Sequence, residues 1–239
     1  MSDEKLDVLA FGAHCDDVEI TSGGLVIKMV DLGYKVGICD LTAGEMGTKG
    51  SVEDRLAESQ CAARVMGLTA RVNLHLPDSA LEMRRDYTFE LVKVIRRFKP
   101  HLVILPCKHQ RHPDHRMCSF LGRDACYLAG LKKLDVEGDP HRPHKILYST
   151  YYREMKASFS VDITDQFERK LEAVRCYKTQ FDDTPEAKEI FSPGTDIFEY
   201  MKIQSRRLGI DIKTLYAEAY IQKETVQIDD PMALKVRSV

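Results

Sequence analysis

The chain has 239 residues, 30% of them charged and 44% hydrophobic, with a formal net charge of −2. That near-neutral balance lacks the basic excess that marks nucleic-acid or anionic-membrane partners, and no apolar run approaches the roughly 20 residues needed to span a bilayer. At about 150 residues per domain, the length fits one large α/β domain or one domain with a modest appendage. Such a chain buries roughly 70–75% of its unfolded surface, so no disulfide or structural metal is required for folding.

The first fourteen residues, MSDEKLDVLAFGAH, place their charges before a short apolar run. They lack the longer apolar segment and cleavage site of a secretory leader, so the expected location is the cytoplasm. The strand-like run DVLAFGA (7–13) is followed by SGGLVIKMVDLG (22–33), whose spacing predicts a helix stopped at Gly33. KVGICDL (35–41) reads as a second buried strand, and 51–67 as a helix opened by Ser51 with Asp54 three residues later, in the manner of a capping box. A strand at 71–76, a helix at 87–99 and a strand at 101–106 follow, then a helix over about 115–131. The alternation predicts a three-layer, Rossmann-like, doubly wound and mostly parallel sheet.

Beyond the loop at 136–144 the pattern changes. KILYSTYY and SFSVDIT are strand-like, 165–181 and about 195–209 are helical, and 214–224 is extended. With no repeat or linker in view, the expectation is one domain over 1–239, a core at 1–135 with a C-terminal elaboration at 136–239. The seven cysteines are Cys15, Cys39, Cys61, Cys107, Cys118, Cys126 and Cys176. An odd, scattered set without a CxxC pair argues against a disulfide framework and a thiolate zinc site, and predicts mostly small buried hydrophobes.

Two polar clusters fall just past apolar strands: His14-Cys15-Asp16-Asp17, and Arg111-His112-Pro113-Asp114-His115. Either alone is equally well explained by a turn or a helix cap. Ligands bind outside the carboxyl ends of strands in doubly wound sheets, so the two can meet there. A shared pocket would hold three histidines and three aspartates, the donor types of a catalytic zinc with an open water position. One aspartate could then bind metal while its neighbour acts as base toward water. His75, His101, His109, His141 and His144 have no such partner and read as core, edge or surface residues.

AHCDDVEITSGG resembles the AHPDDxE…GG signature of the PIG-L/LmbE-type zinc N-deacetylases, and RHPDH resembles their second motif. The likeness extends to GEMGTKGSVEDRLAESQCAARVMG, LPD at 76–78, SFSVDIT and LGIDIKTLYAEAY, and so covers nearly the whole chain. Within the family it is most similar to the bacillithiol-biosynthesis deacetylases and related N-acetylglucosaminyl deacetylases. The resemblance implies zinc held by His14, Asp17 and His115, with Asp16 as general base. It implies His112 as electrophile or acid, oriented by Asp114, and Arg55 as a sugar contact. Asp78 faces either substrate or a turn. It further implies a small N-acetylglucosaminyl substrate, N-acetylglucosaminyl-malate first and N-acetylglucosamine or a chitooligosaccharide second, and a homo-oligomer. A non-catalytic metal- or sugar-binding protein is the remaining reading, and retention of Asp16 and His112 argues against it.

Cys15 stands where the family has proline, and Thr21 where a glycine is common. Proline cannot ligate metal, so the family chemistry needs no side chain at that place and Cys15 is expected to be structural. The competing reading is a thiolate beside the metal. Ser79 and Ala80 replace a basic residue and glycine, which leaves the aglycone open.

Overall fold

Val8–Gly12 is apolar along its whole length because both of its faces are covered; it forms β1, a central strand. The computed structural model describes residues 4–150, 155–181 and 195–236. Parallel strands β2 (Val36–Asp40) and β4 (Leu102–Pro106) flank β1, with β3 (Ala70–Asn73) beyond β2 and β5 (Lys145–Ser149) beyond β4. β7 (Ala217–Ile221) and β6 (Phe159–Asp162) continue the sheet antiparallel, giving the order β3-β2-β1-β4-β5-β7-β6. The expected mostly parallel, doubly wound sheet is present, and the C-terminal strands extend that same sheet.

Alternate residues of β1 enter opposite cores. Leu9 and Phe11 pack with Leu91 and Ile95 of α3 (Arg85–Phe98) and Leu121 of α4 (Pro113–Leu128). Val8 and Ala10 pack with Val26 and Ile27 of α1 (Asp17–Asp31), Met66 of α2 (Val52–Met66) and Ala173 of α5 (Phe167–Arg175). Helices therefore cover both faces. A third cluster, around Ile163, Phe167, Met201 and Tyr216, joins α5 to α7 (Ile197–Ile212).

Four expectations need correction. α1 begins at Asp17 rather than residue 22, because Gly23 and Gly24 are interior helix positions pressed against Lys170 and Ile163 instead of a start signal. α4 begins at Pro113, with Pro at the first helical position and His112 as cap. The helix expected at 165–181 is a 3-10 turn (Thr164–Gln166), α5 and the short α6 (Lys178–Phe181). Cys61 of α2 and Cys176 at the end of α5 form a disulfide, 115 positions apart. The capping box is as expected: Ser51 accepts from Asp54 N, and the Asp54 side chain accepts from Ser51 N. The end of the strand-like KILYSTYY falls partly outside the described residues.

A buried carboxylate ties the C-terminal part to α1. Glu218 on β7 accepts from Gly24 N and Leu25 N, each at 2.8 Å, from Lys170 Nζ at 2.7 Å and from Tyr220 Oη at 2.8 Å. Four donors on one carboxylate satisfy a charge that burial alone would make costly. Among the described residues, no helix is long and apolar enough to cross a membrane.

Candidate metal-dependent active site

β1 and β4 are neighbours, yet the chain leaves them toward opposite faces, β1 into α1 and β4 into α4. The crevice at such a switch point is where open α/β sheets bind ligands. The two sequence clusters lie at its two lips, each running into the first turn of a helix whose N-terminus favours negative charge.

They converge. His14 Nδ1 lies 3.3 Å from His115 Nε2 and 3.5 Å from Asp17 Oδ2, while His115 Nε2 lies 3.0 Å from Asp17 Oδ1. Two imidazole nitrogens and a carboxylate at mutual contact distance form the donor set of a divalent transition-metal site with room for further ligands. His112 adds a third ring, its centroid 4.8 Å from that of His14 and 5.0 Å from that of His115. All three histidines present ring nitrogens within 4.8 Å of one another. Asp17 is the better third ligand, because His112 Nδ1 already accepts from Asp114 N at 3.2 Å. That contact leaves the His112 Nε2 position to carry the proton in the neutral ring. A second grouping, His14 with Asp78 and Asp114, has carboxylates engaged by backbone N–H groups and fits a supporting role.

His14 is braced from behind. Its Nε2 lies 3.0 Å from Asp78 Oδ1, and Asp78 Oδ2 accepts from Met46 N at 3.0 Å. A carboxylate on the far nitrogen fixes the tautomer and turns Nδ1 toward the other donors. Asp78 is thus a partner of His14, and its own N–H donates to Glu45 Oε1. Glu45 carries no signal in the sequence beyond its place in the GEMGT stretch that resembles the family. Asp114 differs from expectation in its contacts. Its carboxylate accepts from Ser79 N at 2.6 Å and Leu81 N at 3.4 Å, and it meets His112 through its backbone N–H.

Asp16 stands apart from the convergent trio. Its Oδ2 is 3.6 Å from Nη2 of Arg55, a buried arginine on α2 whose Nη1 donates to Gly44 O at 3.1 Å and whose Nε has no hydrogen-bond partner among the described residues. Gly44 has φ +72°, and a Cβ there would lie 2.2 Å from Arg55 Nη1, so only glycine lets the guanidinium reach the site. The two neighbouring aspartates therefore face different cations. Cys15 is fully buried; its Sγ donates to Thr42 O at 3.7 Å and accepts from Asn73 Nδ2 at 3.5 Å. Burial, with the nearby Asp40 charge, pushes its thiol far above the usual range, so the sulfur stays protonated and packed.

Opposing effects set the titration of the site. Burial lowers His14, but hydrogen bonds to Asp17 and Asp78 and the charges of Asp17 and Asp16 outweigh it and raise the pKa to about 11. Burial likewise raises Asp17, but facing His115 and His14 hold it well below the carboxylate range. His112 is held below 6.5, by burial first and then by the neighbouring His14 and His115. This is a cavity whose carboxylates demand positive charge.

Comparison with known proteins gives the family. The family model described as GlcNAc-PI de-N-acetylase (PIG-L) matches residues 9–126. A diacetylchitobiose deacetylase of Thermococcus kodakarensis is 34% identical over 222 residues, covering 86% of this chain and 82% of its own. Among solved structures, the conserved protein TT1542 from Thermus thermophilus superposes with TM-score 0.86 at 33% identity, over 96% of this chain and 99% of that one. The N,N'-diacetylchitobiose deacetylase from Pyrococcus horikoshii superposes with TM-score 0.78 at 28% identity, over 90% and 82%. The chain belongs to the PIG-L family of de-N-acetylases and is, like the two deacetylases, an amide hydrolase.

Proposed function

We propose that the protein is a zinc-dependent hydrolase that removes the acetyl group from an N-acetylglucosaminyl compound, giving acetate and a free amine. The observation that carries this reading is the convergence of His14, Asp17 and His115, with the neighbouring residue Asp16 left outside that trio and facing Arg55. The donor chemistry suits zinc, and His14, Asp17 and His115 would hold it. When bound, the ion supplies polarisation of the acetyl carbonyl and acidification of water.

The chain's own residues do the rest. Asp16 accepts the proton of the attacking water, and Arg55 at 3.6 Å orients that carboxylate. His112, with Nδ1 engaged by Asp114 N, presents Nε2–H to the oxygen that gains charge as the carbonyl carbon becomes tetrahedral. The C–N bond then breaks as Asp16 or His112 delivers a proton to the amine.

The names of the two deacetylase relatives favour a short chitooligosaccharide such as diacetylchitobiose as substrate. N-acetylglucosaminyl-malate is the second reading, favoured by Arg111, an exposed guanidinium next in the chain to His112 that suits an anionic aglycone. Acetate release from N-acetylglucosamine, diacetylchitobiose and N-acetylglucosaminyl-malate, with metal content measured on the same sample, tests both. No acetate from any of them by zinc-loaded protein overturns the proposal.

A further inference from the structure

Two peptide units link the ligand His14 to the base Asp16, and two buried side chains converge on the carbonyl of the second, that of Cys15. Arg71 Nη2 donates to Cys15 O, and so does Tyr177 Oη. Neither residue touches the three metal-type donors. Arg71 sits on β3 with its side chain 1% exposed, and Tyr177 follows α5 and is fully buried.

The two donors are themselves tightly held. Arg71 makes a two-pronged contact with Asp40, Nε to Oδ2 at 2.8 Å and Nη2 to Oδ1 at 3.0 Å, and its Nη1 donates to Ser59 O at 3.1 Å. Nη1 also bonds Glu19 Oε1, and Tyr177 Oη lies 2.7 Å from that same oxygen. Glu19 is on α1, two residues after Asp17, and is the glutamate that closes the AHCDDVE stretch. The network therefore grips the first turn of α1 and the loop before it at two points. It does so from β2, β3, α2 and the end of α5 at once. A planar arginine fork between fixed carboxylates has few alternative positions, which is what holding a loop requires.

We propose that Arg71 and Tyr177 are positioning residues: by fixing the Cys15 carbonyl, they set the direction of His14 and Asp17 as metal ligands and of Asp16 as base. The proposal rests on the metal-dependent reading of the site. It also gives Glu19 and Asp40 a purpose, as anchors of the two donors. A buried charged cluster that served only packing would have no reason to converge on a peptide carbonyl between ligand and base.

Tyr177→Phe is the sharpest probe, since it deletes one hydroxyl and leaves the ring and the Arg71 contacts in place. Tyr220→Phe is the matched control: it removes the hydroxyl of an equally buried tyrosine that bonds Glu218 and does not reach the loop. Zinc affinity would be measured by competition with a chromophoric chelator, and kcat and KM for acetate release on the same preparations. Outer contacts of this kind are typically worth about 10–100-fold in metal affinity or activity. Tyr177→Phe is expected to lose zinc affinity or kcat by that factor with KM unchanged, while Tyr220→Phe stays within about twofold of the parent. Parity of the two variants in both readouts, or losses of equal size in both, overturns the proposal. If Tyr177→Phe does not fold, Arg71→Lys, which keeps the charge and loses the fork, takes its place: the same loss supports the positioning role, and parity with Tyr220→Phe overturns it. Tight zinc binding by the parent without acetate release would overturn the deacetylase reading alone, since the chelator measurement still decides the positioning role.

Discussion

His14 Nε2 and Asp78 Oδ1 lie 3.0 Å apart, with His14 Nδ1 turned toward Asp17 and His115. The carboxylate dictates which nitrogen faces the metal donors. Asp78→Asn should therefore weaken zinc binding by about 10–100-fold while leaving KM nearly unchanged. A raised KM with unchanged zinc affinity would return Asp78 to the substrate-contact role that the sequence left open. Chelator competition and steady-state kinetics on one preparation separate the two.

Asp16→Asn keeps the volume and removes the basic oxygen. Acetate release is expected to drop by about 10²–10⁴-fold, and bound zinc per chain, measured by atomic emission, should not change. Retained activity would mean that another group takes the proton.

Metal binding should release a proton. Burial depresses His14, but Asp17 and Asp78 raise its pKa to about 11, above the free value of 6.5. Because the folded value is the higher one, the protonated ring stabilises the metal-free fold fully below about pH 6.5. That contribution is lost as pH rises through about 11. A metal needs the neutral ring, so at pH 8 binding displaces about one proton per ion. Calorimetry of zinc binding in buffers of different ionisation enthalpy reads this directly; a buffer-independent heat would contradict it.

The Cys61–Cys176 bridge closes a loop of 115 positions, for which chain entropy gives about 4–5 kcal/mol of stabilisation. Denaturant melts should shift downward on adding a thiol reductant. Cys61→Ser should start from the lower midpoint and respond no further. Insensitivity of the parent to reductant would show that the bond contributes nothing.

Gly24→Ala should destabilise by about 1–3 kcal/mol. A Cβ at that interior position of α1 would stand 2.6 Å from Ile163 Cδ1 and 2.8 Å from its Cβ. Thermal melts test this, and a neutral or stabilising substitution would show that Ile163 can move aside.

Much of the parallel part of the fold is legible because it depends on local periodicity. DVLAFGA, KVGICDL and HLVILP are continuous apolar runs, as strands covered on both faces must be, and amphipathic spacing marks the helices between them. The start of α1 is not, because two adjacent glycines look like a boundary when the side chains packed on them are unknown. Residues 165–181 read as one helix because their apolar spacing continues through Tyr177, and the interruption there follows from the burial of that tyrosine against Cys15 and Glu19. Asp40, the lone charge in β2, Arg71 in β3 and the Glu19 that closes AHCDDVE are the sequence traces of the buried network, and nothing local says that they meet.

The sequence by itself determined the alternating α/β order and the two polar motifs at strand ends. Both are properties of neighbouring residues. Only the tertiary structure decided that Asp78 braces His14 across 64 positions, that Arg71 grips the Cys15 carbonyl across 56, and that Cys61 meets Cys176 across 115. Such pairings are fixed by how the sheet orders its strands and which face each helix covers, and neither periodicity nor motif spacing encodes which distant side chain completes a buried donor.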